Sequence, residues 1–444
     1  VAERVRAALA EIGVVPATEE SSDRRRRWYG VAPVLLDLRS GALQAKDLQG
    51  IERAFAERRA DRGEDDESDL SSAMAEHLRW AIAASVEALG DPPADLPEVL
   101  AEMALAGGGV CALRALARAG KPARLTDRRL LRQAAETAVH GLRALFRSPE
   151  ISALVGAAAG ETTTGAGEDG YWRQVLHYSM AGNLQSVLDE YVHLLAESEG
   201  LRSAEPGERW ETLATRISGV AGLTAASARV EDIRAHDDEV TVTGRSLRTH
   251  MAVRFGGSRS ATDQTEKREG SAREAYMSPF WPFVLASTSV GQEGLDFHTY
   301  SHAVVHWNLP SNPVDLEQRE GRVHRYKGHA VRKNLAARFG TEALAGTGSD
   351  VWRDLFDAAE AAEPEDSVGL SPFWIYPGAA KVWRFIPAMP LSREKRQLSR
   401  LQRTLGAYRL VLGQPRQEEL VKYAGEVDVD LTIDLRPGPD KSLS

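Results

Sequence analysis

Two arginines and a glutamine, spaced to share one surface, are the residues of this chain best placed to do chemistry. They lie in Ser311-Asn312-Pro313-Val314-Asp315-Leu316-Glu317-Gln318-Arg319-Glu320-Gly321-Arg322-Val323-His324-Arg325. Asn312 suits a helix N-cap, Pro313 the first helical position, and Asp315 and Glu317 the positive end of the helix dipole. At 100° per residue, a helix through Arg325 puts Gln318, Arg322 and Arg325 within about 60° of one another, with Leu316 and Val323 on the far side to meet a core. Two guanidiniums on one face are planar donors of fixed charge, suited to a polyphosphate. The same pair also fits a salt-bridged surface helix, so the neighbouring sequence has to decide.

Upstream, Thr288-Ser289-Val290-Gly291-Gln292-Glu293-Gly294-Leu295-Asp296-Phe297 directly follows the apolar run Phe283–Ala286. Loops at the carboxyl ends of parallel strands are where α/β sheets bind ligands. Gly291 and Gly294 let backbone N–H groups approach a phosphate or sugar, and Asp296 can accept from a hydroxyl. A further strand, Val304-Val305-His306-Trp307, leads into the two-arginine helix.

With these pieces in order, the stretch Arg273–Arg332 resembles the C-terminal RecA-like lobe of superfamily-two helicases, and from Leu285 to His329 it is most similar to their Swi/Snf-like branch. Thr288 through Phe297 looks like the family's T-x5-G-L-D-φ motif and Gln318 through Arg325 like its Q-x-x-G-R-x-x-R motif. Arg273 and Tyr276 sit about where the family has an R-x-x-F segment. The resemblance implies that Arg322 and Arg325 are arginine fingers on the γ-phosphate of ATP held by another lobe, and that Gln318, Gly294 and Asp296 contact the nucleotide. It implies that Thr288 and Ser289 touch a nucleic-acid backbone, so DNA (or RNA) is the expected partner, held by sequence-independent phosphate contacts. Mg2+ would accompany ATP, held mainly by the other lobe. The implied activity is that of an ATP-dependent helicase or translocase. The alternative is a non-catalytic nucleic-acid-binding or scaffold protein that retains a helicase lobe.

The other lobe has no counterpart in the sequence. A P-loop needs G-x4-G-K-[ST], whereas Gly107-Gly108-Gly109 has no lysine at that spacing and Lys121 precedes Pro122. Asp189-Glu190-Tyr191-Val192-His193 approaches the family's D-E-x-H string, but its histidine comes one place late. Leu184, Val187, Leu188, Tyr191 and Val192 recur at helical period there, which predicts an amphipathic helix. A P-loop lobe, of the same protein or of a partner chain, is therefore expected, and Val1 in place of Met reads as the cut edge of a larger motor. Ser392-Arg393-Glu394-Lys395 matches the S-x-x-K string of penicillin-binding enzymes without its companion motifs, and Ser392 is more simply a helix N-cap. His298, His302 and His306 straddle a loop and a strand, so no metal is expected.

The elements that must position these residues read as an α/β fold. A RecA-like parallel-sheet lobe is expected over 205–335, after a large all-α accessory region over 1–204 and before a mostly helical extension over 336–444. Met251–Phe255, Phe283–Ala286 and Ala303–Val305 have strand length and lack alternation, as strands buried on both faces do. Leu131, Ala135, Ala138, Leu142 and Leu145 predict a helix capped by Thr126, and Leu70, Met74, Leu78, Ile82, Val86 and Leu89 a second. Gly156–Gly170 reads as a flexible connector. Near the end, Leu391, Leu398, Leu401, Leu405, Tyr408 and Leu412 mark a long helix, and the segment Ser392–Leu412 carries a local charge of +5. Its apolar stripe would pack on the lobe and its arginines would face DNA. Arg24–Arg27 precede Trp28 and Tyr29, which fits either a phosphate patch with a stacking aromatic or a solvated helix end.

Composition sets the outer limits. A chain of 444 residues exceeds what one hydrophobic core supports, so at least two domains are expected. The net charge of −9 disfavours a protein that coats nucleic acid all over, yet leaves room for a local basic groove. The single cysteine, Cys111, forms no internal disulfide and reads as a small buried hydrophobe. No apolar run of spanning length and no basic-then-apolar leader stands out, so a cytoplasmic protein with no membrane partner is expected.

Overall fold

The computed structural model of the chain describes residues 1–15, 25–41, 89–160, 168–223, 227–236, 239–248, 271–286, 296–345, 350–364, 369–387 and 392–411. The chain divides into two compact units, Val1–Arg114 with Pro149–Leu188, and Ala115–Ser148 with Asp189–Ser444.

The first unit is built from helices α1 (Ala2–Glu11), α2 (Arg25–Arg39), α3 (Leu96–Ala106), the opening of α4 (Gly108–Ala119), α6 (Pro149–Ala158), α7 (Glu168–Ala181) and the start of α8 (Leu184–Ser198). Its core gathers Leu9, Trp28, Val31, Leu89, Leu96 and Val99. Trp28 is fully buried and donates from Nε1 to the Gly90 carbonyl (3.1 Å), while Tyr29 Oη bonds Asp95 Oδ1 (2.6 Å). These two rings therefore serve the core, which overturns the reading of them as stacking platforms beside the Arg24–Arg27 run. Cys111 is buried as a small apolar residue would be. The proposed connector Gly156–Gly170 needs correction at both ends, since Gly156–Ala158 closes α6 and Glu168–Gly170 opens α7. The Leu70–Val86 run and Met251–Phe255 lie outside the described residues.

One stretch of this region, Leu96–Ala119, is long and apolar enough by composition to cross a membrane, with a mean hydropathy of 1.5 over an 18-residue window, against the expectation that no run of spanning length is present. A break at Gly107 divides it into α3 and α4, of 11 and 12 residues. At about 1.5 Å per residue neither reaches the roughly 30 Å of a hydrocarbon core.

In the second unit α5 (Leu125–Arg147) packs along α9 (Pro206–Ala221). The cap of α5 differs from the one read from sequence. Thr126 lies inside the helix, and Asp127 Oδ2 instead accepts the N–H groups of Ala123 and Arg124 (3.0 and 2.8 Å). The two helices touch closely at Gly141, where a Cβ would stand 2.4 Å from Ser218 Cα and 2.6 Å from Ser218 O. Alanine in mid-helix gains about 1 kcal/mol of propensity over glycine, but a clash with backbone costs up to about 3 kcal/mol. Gly141→Ala is therefore expected to destabilise the pair by about 2 kcal/mol, read as faster amide hydrogen exchange in α5 and α9. Unchanged protection would show that the helices can separate without cost.

Beyond α9, β1 (Ser227–His236) and β2 (Glu239–Arg248) form an antiparallel hairpin in register from Ser227↔Arg248 to His236↔Glu239. A separate two-stranded parallel sheet joins β3 (Ala303–Val305) to β4 (Trp383–Phe385). Ala303–Val305 is thus a strand, although its Val305 is exposed and not buried on both faces. Phe283–Ala286 is not a strand: it follows Pro279 and Pro282, which supply no ladder donors, and Val284 is 83% exposed. The unit is completed by α10 (Pro313–Gly321), α11 (His329–Ala345), α12 (Val351–Ala361) and α13 (Glu394–Val411). Val331, Leu335, Phe339, Leu355 and Phe356 form the core between α11 and α12. Asp350 caps α12 through the Arg353 N–H (3.1 Å) and also accepts from His193 Nδ1 on α8 (2.8 Å). As read, 189–193 is helical and Leu188, Tyr191 and Val192 are buried. Of the C-terminal helix, Leu391 and Leu412 lie outside the described residues, and Leu401 is buried.

Candidate functional site

The segment from β3 to α11 carries Gln318, Arg322 and Arg325. Helix α10 begins as its sequence dictates: Asn312 Oδ1 accepts the Val314 N–H (3.0 Å), Pro313 opens the helix and Leu316 is buried. Gln397 on α13 donates to the Pro310 carbonyl (3.0 Å), and Arg319 to that of Asn308 (2.9 Å), fixing the approach to the helix.

The end of α10 differs from expectation. The helix stops at Gly321, so Gln318, Arg322 and Arg325 do not share one helical face. Glycine is a poor helix former, and continuing the helix would need the Arg322 carbonyl to accept from within the helix. That carbonyl instead accepts the Phe297 N–H (3.0 Å), while the Val323 and His324 N–H groups both turn back to Glu320 O. Val323 is buried, as read. The chain then tightens through Lys327, which has a left-handed φ of 50° and donates its N–H to Phe373 O (2.6 Å).

This turn produces a cluster that a straight helix would not. Arg325 Nε lies 3.1 Å from Asp296 Oδ1, and both side chains remain open to solvent, at 46% and 40%. Arg322 is partly buried beside them through its backbone bond to Phe297. Gln318 is exposed on α10, one turn before Arg322. Thr288, Ser289 and Gly294 lie outside the described residues. Among the described residues no group of three or more carboxylate, histidine or cysteine side chains could hold a metal ion.

Three supports behind the cluster were not visible in the sequence. Glu320 receives His306 Nε2 (3.0 Å) from the end of β3 and the guanidinium of Arg384 from β4, and so ties α10 to both strands. Burial opposes its ionisation, but the bonds from His306 and Arg384 prevail and hold its pKa down to about 2. Arg332 is 1% exposed and donates to Glu190 Oε1 and Lys327 O (2.6 Å each) and to Thr299 O, with its guanidinium 5.2 Å from the centre of the Tyr300 ring. Lys327 Nζ bonds Glu197 (2.6 Å) and sits 4.3 Å from the Phe356 ring centre.

Two of these groups set opposite ends of one acid-sensitive range. Burial, then the charge of Arg332, lowers His329 from 6.5 to about 4. A depressed histidine favours the neutral folded form, so its contribution is complete above about pH 6.5 and lost as pH falls toward 4. Glu320, depressed from 4.5, contributes fully above about pH 4.5 and loses that contribution toward pH 2. His329→Gln is therefore expected to lose less stability than the parent between pH 7.5 and 5, measured as urea midpoints. An equal loss in both proteins would remove His329 from this account.

Residues 255–327 match the family described as the helicase conserved C-terminal domain. Over this segment the chain is similar to that family. The segment holds Asp296, Gln318, Arg322 and Arg325, and it accounts for about a sixth of the chain. No curated protein and no solved structure matches the chain. The matched segment draws structural partners from outside its own span: Arg384 of β4 reaches Glu320, and Glu197 of α8 reaches Lys327.

Proposed function

We propose that this chain supplies the C-terminal, RecA-like half of an ATP-dependent helicase or translocase of the Swi/Snf-like kind, acting on DNA. Arg325 and Arg322 are its arginine fingers, and the P-loop lobe that holds ATP and Mg2+ belongs to another part of the protein or to a partner chain. The observation that carries this reading is the placement of both arginines on the turn after α10, inside the helicase C-terminal segment, with Arg325 exposed. The exposed Arg325 guanidinium, with Arg322 partly buried beside it, suits a γ-phosphate presented from outside, whose charge spreads over its equatorial oxygens during transfer. ATP supplies the phosphoryl group. The residues of this chain orient and neutralise it: Asp296 holds Arg325 at 3.1 Å and so limits where its free donors point, and the Phe297–Arg322 backbone bond holds the two sides of the turn together. Gln318 and Gly294 face the nucleotide, and Thr288 and Ser289 track the DNA backbone.

The reading is tested by mixing the chain with a separately produced P-loop lobe and following phosphate release with and without DNA. DNA-stimulated hydrolysis that requires both parts supports it. Salt-sensitive DNA binding without hydrolysis under any pairing would favour a non-catalytic binding protein.

A further inference from the structure

A second concave surface of the same unit is not used by this mechanism. It is a cavity of about 550 Å³ between the first half of α11 and the 377–383 segment leading into β4. Lys333 and Arg338 line it from α11, Lys381 from the facing segment, and Trp383 from β4. Among the described residues no aspartate or glutamate lines it. Lys333 and Lys381 are exposed, and among the described residues no ion pair engages Lys333, Arg338 or Lys381. His302 and His329 also line it, but His329 stays uncharged near neutral pH, so the fixed charge comes from the three long side chains.

The wall is built and not incidental. Asn334 is buried, donates Nδ2 to the carbonyls of Tyr376 and Ala380 (3.0 Å each), and accepts the Ala380 N–H (2.8 Å). Gly378 passes so close that a Cβ there would fall 2.3 Å from Asn334 Oδ1. One side chain thus pins the loop that carries Lys381 and Trp383 against α11.

Beyond the cavity the surface becomes aromatic. The register pairs Ala303 with Trp383 and Val305 with Phe385, so alternation puts Val305, Trp383 and Phe385 on one face of the sheet, and all three are exposed. Trp307, just past β3, is 77% exposed. Lys381 Nζ lies 4.3 Å from the Trp383 ring centre, and half of that residue still faces solvent. Fixed cations without carboxylates select a polyanion, and indole faces alongside them select flat π-systems. Single-stranded nucleic acid combines the two, with phosphates along the cations and bases on the rings.

We propose that the Lys333–Arg338–Lys381 cavity and the adjoining Trp383 form a binding surface for single-stranded nucleic acid, separate from the arginine-finger turn. This rests on the nucleic-acid half of the function proposed above and not on ATP hydrolysis. Binding of fluorescein-labelled dT20 to the full chain, titrated over a salt series without nucleotide, tests it. Lys333→Gln/Arg338→Gln/Lys381→Gln is expected to flatten the slope of log Kd against log salt by about 2, at roughly 0.7 per phosphate contact. Trp383→Ala is expected to weaken binding about tenfold, and Trp383→Phe to restore most of it. Thermal unfolding of each variant confirms that these surface changes leave the fold intact. An unchanged slope in the triple variant, an abasic 20-mer or polyglutamate that binds as tightly as dT20, or no binding by the parent chain at low salt would each overturn the proposal. Intact dT20 binding alongside absent ATP hydrolysis would sink the motor reading and leave this surface standing.

Discussion

Replacing Arg332 by methionine is expected to cost about 3–5 kcal/mol of stability, the range for removing one partner of a buried ion pair. The side chain is 1% exposed, and its guanidinium satisfies Glu190 and the carbonyls of Lys327 and Thr299 at once. Methionine fills much of the volume but leaves a carboxylate and two carbonyls without their donor, and buried orphaned acceptors bear the full cost of desolvation. The loss should also reach the candidate site. Arg332 links 299 to 327, the two stretches that carry Asp296 and Arg325, so their 3.1 Å pairing depends on it. Urea unfolding followed by intrinsic fluorescence measures the effect. Arg332→Met/Glu190→Leu should recover part of the loss, because it removes the stranded charge along with its partner. A single variant as stable as the parent would mean that water replaces the guanidinium.

That pair also illustrates how far the sequence could be read. Local signals were legible: Asn312 and Pro313 announced the start of α10, Leu316 its buried side, and the period of Leu188, Tyr191 and Val192 a helix at 189–193. Each rests on chemistry within a turn or two of chain. The end of α10 was not legible, because it is set by the Phe297 N–H meeting the Arg322 carbonyl, a contact between segments distant in sequence. Glu190 was read only as part of a helix that mimics D-E-x-H, yet its carboxylate meets a guanidinium 142 positions later. Trp28 beside a run of arginines fitted either a stacking platform or a solvated helix end, and its burial decided against stacking. The parallel pairing of Trp383-Arg384-Phe385 with Ala303–Val305 depends on β4 arriving from beyond 335, where the lobe was expected to end. The compact units likewise divide inside the helical region 1–204, at positions that no change in composition marks.

The largest functional effect is expected at Arg325. Arginine fingers in nucleotide hydrolases are worth about 10³–10⁵ in rate, so Arg325→Ala should abolish measurable DNA-stimulated hydrolysis while leaving stability nearly unchanged. The small stability effect follows from exposure: the pairing with Asp296 is open to solvent, and such surface pairs contribute little to folding. Arg325→Lys keeps the charge but loses the planar fork, and should recover only a small part of the rate. Arg322→Ala carries a structural component as well, because residue 322 is partly buried beside the Phe297 contact.

The most direct measurement is single-turnover phosphate release from ATP by the chain paired with a P-loop lobe, at saturating DNA, comparing the parent with Arg325→Ala. A fall of about a thousandfold or more, with DNA affinity unchanged, is the predicted result. Equal rates from both proteins would contradict it, and would leave the turn after α10 without a role in ATP chemistry.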